Sequence, residues 1–438
     1  MLLATDTLPQ VEAPPRWRLG TRIAFRWCVT YFTLYVCFTQ MLGGLIVLPV
    51  GNLPELGVLP PMRTLIDWGA VHVFRITTPL VYFSGSGDKT YDWIQALCLV
   101  VVATMGTLVW SVVDRRRGRY VATQAWFRLF LRFALGSTMV SYGMVKAIPL
   151  QMPAPGLVRL LEPYGNFSPM GVLWASIGAS RSYEIFAGSA ELLAGILLFL
   201  PRLTTFGALV CAAVVTQVFV LNMTYDVPVK LFSFHLLLMA LVLLAPDARR
   251  LMAVMILNRA TAPSTEPPLA RRPRTAWILA GAQVVFGGYL VFMNLEQARQ
   301  SWTQYGGGAP KSALYGIWDV DQMTIDGHTR SPLLTDFDRW RRLAFQTPTN
   351  MSFHRMDDTV VRYGAAVDTV ASTLTLTKAN DKAWTSRFTF TRPAVDRLLL
   401  AGTMDGHAVT LHLRLVDHTK FQLLSRGFSW VQEYPFNR

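Results

Sequence analysis

Charge is scarce in this chain of 438 residues. Asp, Glu, Lys and Arg make up 16% of it, where a soluble protein carries about a quarter, and hydrophobic residues reach 52%. That balance excludes extensive disorder and points to an integral membrane protein. Cysteine is scarce too. Cys28, Cys37, Cys98 and Cys211 all sit in apolar stretches without CxxC or zinc-ligand spacing, which argues against a disulfide framework, a zinc knuckle or a thiol redox centre. Only His235 falls within an apolar run, which disfavours a bis-histidine haem, and no Glu-x-x-His pair occurs to build a di-iron carboxylate bundle. GxSxG and HExxH are absent. The stretch Gly85-Ser86-Gly87-Asp88-Lys89-Thr90 lacks the GxxxxGK[ST] spacing of a phosphate loop, so we read it as a glycine turn followed by Asp88 capping the next helix.

What is present is a series of long apolar runs. Crossing about 30 Å of hydrocarbon takes roughly 17–25 residues. Seven runs qualify: 27–48, 93–113, 126–147, 184–200, 203–223, 229–245 and 276–295. The third is the weakest, because it carries Arg128, Arg132 and Lys146. With the N-terminus in the cytoplasm, the inner segments hold 15 basic residues, among them Arg16, Arg22, Arg26, Arg115–Arg117, Arg202 and Arg271–Arg274. The outer loops hold five: Arg63, Arg75, Lys89, Arg159 and Arg181. Positive charge marks the cytoplasmic side. The net charge of +14 is thereby accounted for without nucleic acid. The expected organisation is a tail over 1–26, a six-helix core over 27–246, a Pro- and Arg-rich cytoplasmic linker over 247–275, a seventh span over 276–295 and an outer domain over 296–438.

From residue 296 the composition becomes ordinary and period-two runs appear: YGIWDVDQMTI, RRLAFQ, TVVRYGAAV, TLTLT, RFTFT, RLLLAGTM, AVTLHLRLV and FQLLSRGFSWV. Asp326-Gly327, Asp357-Asp358 and Asp405-Gly406 punctuate them. This predicts an antiparallel all-β barrel or sandwich. Gly316-Ile317-Trp318 in the first strand, with Arg426 in the last, resembles the calycin (lipocalin-like) pattern, in which such a pair closes one barrel end.

Ionisable groups within a span face the bundle interior and mark either function or a structural pair. At 1.5 Å per residue, Glu191, Gln217 and His235 lie at similar depths, about 9–12 Å below the outer ends of three different spans. Tyr142, Lys146, Glu184, Asn222, Tyr225, Asp226 and Lys230 lie nearer the outer rim. These ten residues form the expected ligand-binding set, a polar pocket open to the outside. The structural reading of the same residues is a pair of buried ion pairs, Lys146 with Glu191 or Lys230 with Glu184, and a hydrogen-bonded core His235. Two outer loops, 50–92 and 148–183, carry an amphipathic piece at 62–74 and a helix start at Ser168-Pro169. They are expected to anchor at the membrane surface through Trp68 and Trp174, or to form a lid over the pocket.

Across 132–246 the chain resembles the DoxX-like family of bacterial membrane proteins. The carrying residues are Tyr142-Gly143 with Lys146, Pro163-Tyr164-Gly165, Ser168-Pro169, Tyr183-Glu184 with Gly188 and Glu191, then Asn222, Tyr225-Asp226-Val227-Pro228 and Lys230. The Gly85–Asp88 turn and the C-terminal EYPFNR resemble a larger branch with a fused outer domain. The resemblance implies a helical unit of the bacterial inner membrane, in some members associated with quinone-linked sulfur oxidation or oxidative-stress complexes. A more distant resemblance, to vitamin K-dependent carboxylase-like membrane domains, implies a lysine base. The expected function is therefore binding of a hydrophobic or amphipathic small molecule, or of a partner, at an outward-facing pocket. The alternatives are a quinone-linked oxidoreductase subunit and a scaffold whose β-domain binds periplasmic proteins.

Overall fold

The computed structural model describes residues 16–48, 53, 55–264 and 267–437. In chain order the helices are α1 (Leu19–Phe38), α2 (Met41–Leu45), α3 (Pro60–His72), α4 (Thr90–Val113), α5 (Val121–Ala147), α6 (Leu157–Leu161), α7 (Pro169–Ala179), α8 (Arg181–Phe199), α9 (Thr204–Thr224), α10 (Lys230–Leu244), α11 (Ala248–Met255) and α12 (Pro273–Gln304). Nine strands follow: β1 (Gly316–Ile325), β2 (His328–Thr329), β3 (Trp340–Thr347), β4 (Asn350–Arg355), β5 (Val360–Asp368), β6 (Thr373–Lys378), β7 (Asp381–Ala394), β8 (Arg397–Met404) and β9 (His407–Val416). A short helix, α13 (Gln422–Ser425), lies beyond them. The chain divides into two units, 1–144 with 187–296 and 145–186 with 297–438.

Among the described residues, five helical stretches are long and apolar enough to cross a membrane: Thr90–Val113, Arg181–Phe199, Pro201–Thr224, Lys230–Met255 and Pro273–Gln304. That points to a membrane protein. Helices also occupy the first and third expected spans, but both fall short of that apolar standard, for a physical reason. α1 buries Arg26, and α5 buries every residue from Leu131 to Val140, including Arg132, Ser137 and Thr138. Interior helices can carry polar groups that a lipid-facing helix cannot. The first helix is also displaced from the expected 27–48, because the backbone turns extended at Thr39. It runs instead from Leu19, so that Arg26 lies within it.

α5 and α8 cross where glycines face each other. A Cβ on Gly143 would lie 2.5 Å from Leu192 N, and one on Gly195 would lie 2.7 Å from Gly136 O. Each helix carries its glycines seven residues apart, on one face, so the two backbones meet directly. Around this crossing packs a core of Phe32, Tyr35, Leu131, Leu135, Leu198, Leu236 and Met239.

The strands form a closed antiparallel barrel of eight, β1 and β3–β9, each paired with its sequence neighbour and shut by β9 on β1. β2 is a two-residue hairpin partner at the end of β1. Alternate residues from every strand fill the interior, with Trp318, Phe345, Met351, Leu374, Leu376, Phe388, Leu400 and Leu411 nearly or fully buried. The run FQLLSRGFSWV does not form the expected last strand. Once β9 pairs with β1 no edge is left to accept it, and it becomes α13 and irregular chain. Its place among the eight is taken by β4, whose Ser352 and His354 are buried polar residues that disguise the alternation. Arg426 is therefore not the residue beside Trp318. It is exposed, donates to Gln432 Oε1 at 3.1 Å and lies over Phe436. Arg392 of β7 lies 5.6 Å from the Trp318 ring instead, and Trp318 Nε1 donates to Leu314 O at 3.0 Å.

The loop 148–183 belongs to the barrel's unit. Leu157 packs with Ile317 and Ala344, and its N–H donates to Gln346 Oε1 at 3.0 Å. Pro169 opens α7 as expected, with Ser168 Oγ accepting from Gly171 N–H. Trp174 is half-buried and donates to Gln151 O at 2.9 Å, so its indole nitrogen ties two parts of the loop together. Trp68 on α3 is 54% exposed and stacks on His72, which suits a surface anchor.

Candidate functional site

The site grows from the turn at Gly85–Asp88. Gly85 takes φ +74°, a conformation open to glycine, and turns the chain back. Gly87 N–H then donates to Pro228 O at 2.8 Å. Asp88 accepts the backbone N–H groups of Lys230 and Leu231, both at 2.9 Å. It thus caps α10, some 142 residues away, rather than the adjacent α4 as the sequence led us to expect. α4 is capped by its own Asp92, which accepts Lys89 N–H at 2.9 Å while Lys89 Nζ lies 2.8 Å from the same carboxylate. Lys230 bridges Asp226 at 2.8 Å and Asp88 at 3.6 Å, and Asp226 itself sits at φ +52°. Two distant loops are therefore locked edge to edge.

Beneath this lock, within the first unit, lies a cavity of about 300 Å³. Tyr35, Tyr142, Phe232 and Leu99 form its apolar wall; Gln40, Gln95, Glu55, Tyr82, Lys89 and Asp92 supply its polar groups. Several of these are fixed. Gln95 Nε2 donates to Phe38 O at 2.9 Å, Tyr91 Oη donates to Gly57 O, Tyr82 Oη donates to Asp67 Oδ1 at 2.6 Å, and Gln40 Nε2 lies 3.3 Å from Tyr142 Oη. Arg63 covers the Tyr82 ring at 3.7 Å. The apolar cleft pushes the Glu55 carboxyl above the usual carboxylate range even though the residue is partly exposed; Lys89 opposes this and Asp92 adds to it. Residues from the segments 55–58 and 82–92 thus line one side of the cavity.

Of the ten expected residues, only Tyr142 lines this cavity. Lys230, Asp226 and Tyr225 lie in the lock at its edge, and Asn222 Nδ2 donates to Ser233 Oγ at 3.0 Å just beyond. His235 stands behind the wall. Its Nδ1–H donates to Leu231 O and its Nε2 accepts from Tyr31 Oη, both at 2.7 Å, and Tyr35 stacks flat against it at 4.0 Å. It is a satisfied core histidine that orients a cavity tyrosine. Glu191 is buried beside the glycine crossing. Gln217 is exposed on α9 and joins no polar cluster. Lys146 and Glu184 belong to the other unit, where both are buried, and Glu184 accepts Met152 N–H at 2.9 Å. Lys230 pairs with Asp226 and Asp88, not with Glu184.

Sequence reasoning missed Tyr35, Gln40, Glu55, Tyr82, Lys89, Asp92 and Gln95. The nearest signal was the Gly85–Lys89 turn, whose spacing excluded a phosphate loop and whose role as a seam between loops only the fold reveals. Among the described residues, no three His, Cys, Asp or Glu side chains gather as a metal site would require.

No protein-family profile matches the chain, and no solved structure does. The chain is similar to the Bacillus subtilis (strain 168) protein described as uncharacterized protein YwoB. The two are 29% identical over 139 residues, 30% of this chain and 80% of that protein.

Proposed function

We propose that this chain is a bacterial inner-membrane protein that holds a small amphipathic molecule in the tyrosine-lined cavity of its helical unit, reached from the outer face. The carrying observation is the cavity itself: an aromatic wall opposite polar groups, roofed by two outer segments that the Asp88 lock holds in place. An apolar pocket with a few fixed polar groups is the usual form of a small-molecule site. Its polar groups are engaged with one another, Lys89 with Asp92 and Gln95 with a backbone carbonyl, which favours binding over reaction.

The proposed orientation places the N-terminus inside and the barrel outside. The charge asymmetry supports it, and so does the Leu157–Gln346 hydrogen bond. The charge rule puts the 148–183 loop and the β-domain on the same side, as that bond requires. The DoxX-like and calycin-like resemblances belong to this reading. A second reading gives the barrel's C-terminal segment a protein partner, since Phe428, Trp430 and Tyr434 are 79%, 91% and 84% exposed.

The test is native mass spectrometry of the detergent-purified full chain, with solvent extraction of what it carries. The proposal expects one discrete small-molecule adduct, lost in a folded Gln95→Leu variant. An extract holding only bulk lipid, unchanged by that substitution, would overturn it.

A further inference from the structure

One acidic side chain of the tyrosine-lined cavity stands outside its hydrogen bonds. Asp92 is held by Lys89, whose Nζ also donates to Ser86 O, and Gln95 is held by Phe38 O. The Glu55 carboxylate makes no hydrogen bond and no ion pair among the described residues. Its neighbours in sequence offer no counter-ion either, because from Pro49 to Met62 no other side chain is charged. The surrounding charge is one-sided. Among the described residues the cavity wall holds two carboxylates, Glu55 and Asp92, against the Lys89 ammonium, and the lock at its edge holds two more, Asp88 and Asp226, against Lys230.

This charge selects among ligands. An anion would meet a negative field. A neutral molecule would strip water from Glu55 and return nothing, and a carboxylate without water or a counter-charge is costly. The cleft already raises the Glu55 carboxyl by desolvation, so water serves it poorly there. The aromatic wall suits the opposite sign. Tyr35, Phe83, Tyr91 and Tyr142 bring ring surface to the cavity. His235 covers one face of Tyr35 without lining the cavity, which leaves the rest of that ring to do so. Aromatic rings attract cations through their quadrupole, and Arg63 over Tyr82 is an instance within this cluster. Building on the reading that the cavity holds a small amphipathic molecule, we propose that this molecule is a cation, its ammonium head paired with Glu55 among the rings and its apolar part against Leu99 and Phe232. A volume of about 300 Å³ admits such a head with a short chain and excludes a whole phospholipid.

The experiment uses the full chain in dodecyl maltoside, with radiolabelled octyltrimethylammonium as the probe and equilibrium dialysis against protein-free micelles. One saturable site per chain is expected, with octyl sulfate and 1-octanol failing to compete. Glu55→Gln keeps the shape and removes the charge. Because the carboxylate bonds no other group, thermal unfolding should be unchanged while affinity for the probe falls at least about ten-fold, as losing one partner of a desolvated charge pair does. Competition by octyl sulfate or 1-octanol as strong as by unlabelled probe, or an affinity indifferent to Glu55→Gln, would overturn the cation assignment. The cavity reading itself would still stand wherever Gln95→Leu removes the extracted adduct, and would fall with the cation assignment if no adduct and no saturable probe were found. Displacement of the probe by phosphatidylcholine added to the micelles would identify a lipid head group as the source of the cation and overturn the small-molecule assignment.

Discussion

The two units solve burial in opposite ways. In the barrel the interior is mostly apolar, with Arg339 and His354 as buried exceptions, and most charges lie on the outer surface, where Arg342 and Arg414 meet Asp319, and Arg397 and Arg414 meet Asp321. In the helical unit the outer faces carry Val101, Leu108, Val112, Val285 and Phe292, while Arg26, Arg132, Glu191 and His235 are buried. On the membrane reading proposed above, the same chemistry is inverted because the surrounding medium differs. Water rewards exposed charge, and lipid rewards its concealment. The lesson for function is that polar side chains inside a helical bundle require local explanation, whereas those on a barrel surface do not.

The comparison can be sharpened by removing one member of each interior. Trp318 fills the barrel at 0% exposure, and Trp318→Ala should cost about 4 kcal/mol in a denaturation measurement on the full chain. Arg26 plays the corresponding part in the helical unit. Its guanidinium donates to Tyr120 Oη, to Ser111 Oγ at 2.9 Å and to Asp114 O at 2.9 Å, joining α1 to the end of α4 and the loop beyond. Arg26→Met should cost about 3 kcal/mol, since it strands those buried partners. Arg342→Met on the barrel surface should cost less than about 1 kcal/mol, as exposed ion pairs do. Equal losses for the two arginines would break the contrast.

Smaller effects test the connections. Asp88→Ala removes a cap from α10 and should cost about 1 kcal/mol, with faster exchange of the Lys230 and Leu231 amides. In the barrel, the Arg330 guanidinium holds the Asp336 carboxyl below the usual range, through bonds of 2.8 and 2.6 Å. A depressed acid stabilises above its unfolded value near 3.9 and loses that contribution as pH falls through its lower folded value. Asp336→Asn should therefore flatten the acid limb of the barrel's stability curve, by less than about 1 kcal/mol because Arg330 is partly exposed.

The positions of the helices and of most strands were legible, because periodicity and apolar length depend on local sequence alone. Barrel closure was not, since the pairing of β9 with β1 joins residues about 90 apart and leaves FQLLSRGFSWV without an edge. Gln217 shows a further limit. Depth along a helix follows from counting residues, but the angle around the axis depends on packing, and Gln217 lies at the right depth on the wrong face. Asn222, five residues on, points inward. Asp88 was legible as a cap, though not as the cap of α10, because hydrogen bonding across 142 residues leaves no trace in local spacing.

The most direct test of the account uses two residues of nearly equal exposure. Val101, in the middle of α4, is 57% exposed, and Leu333, in a barrel loop, is 58% exposed. If lipid surrounds the helical unit, Val101→Asp should impair membrane insertion by about 3 kcal/mol, measured as the inserted fraction, while Leu333→Asp changes stability by less than about 0.5 kcal/mol. Equal tolerance of both aspartates would contradict it.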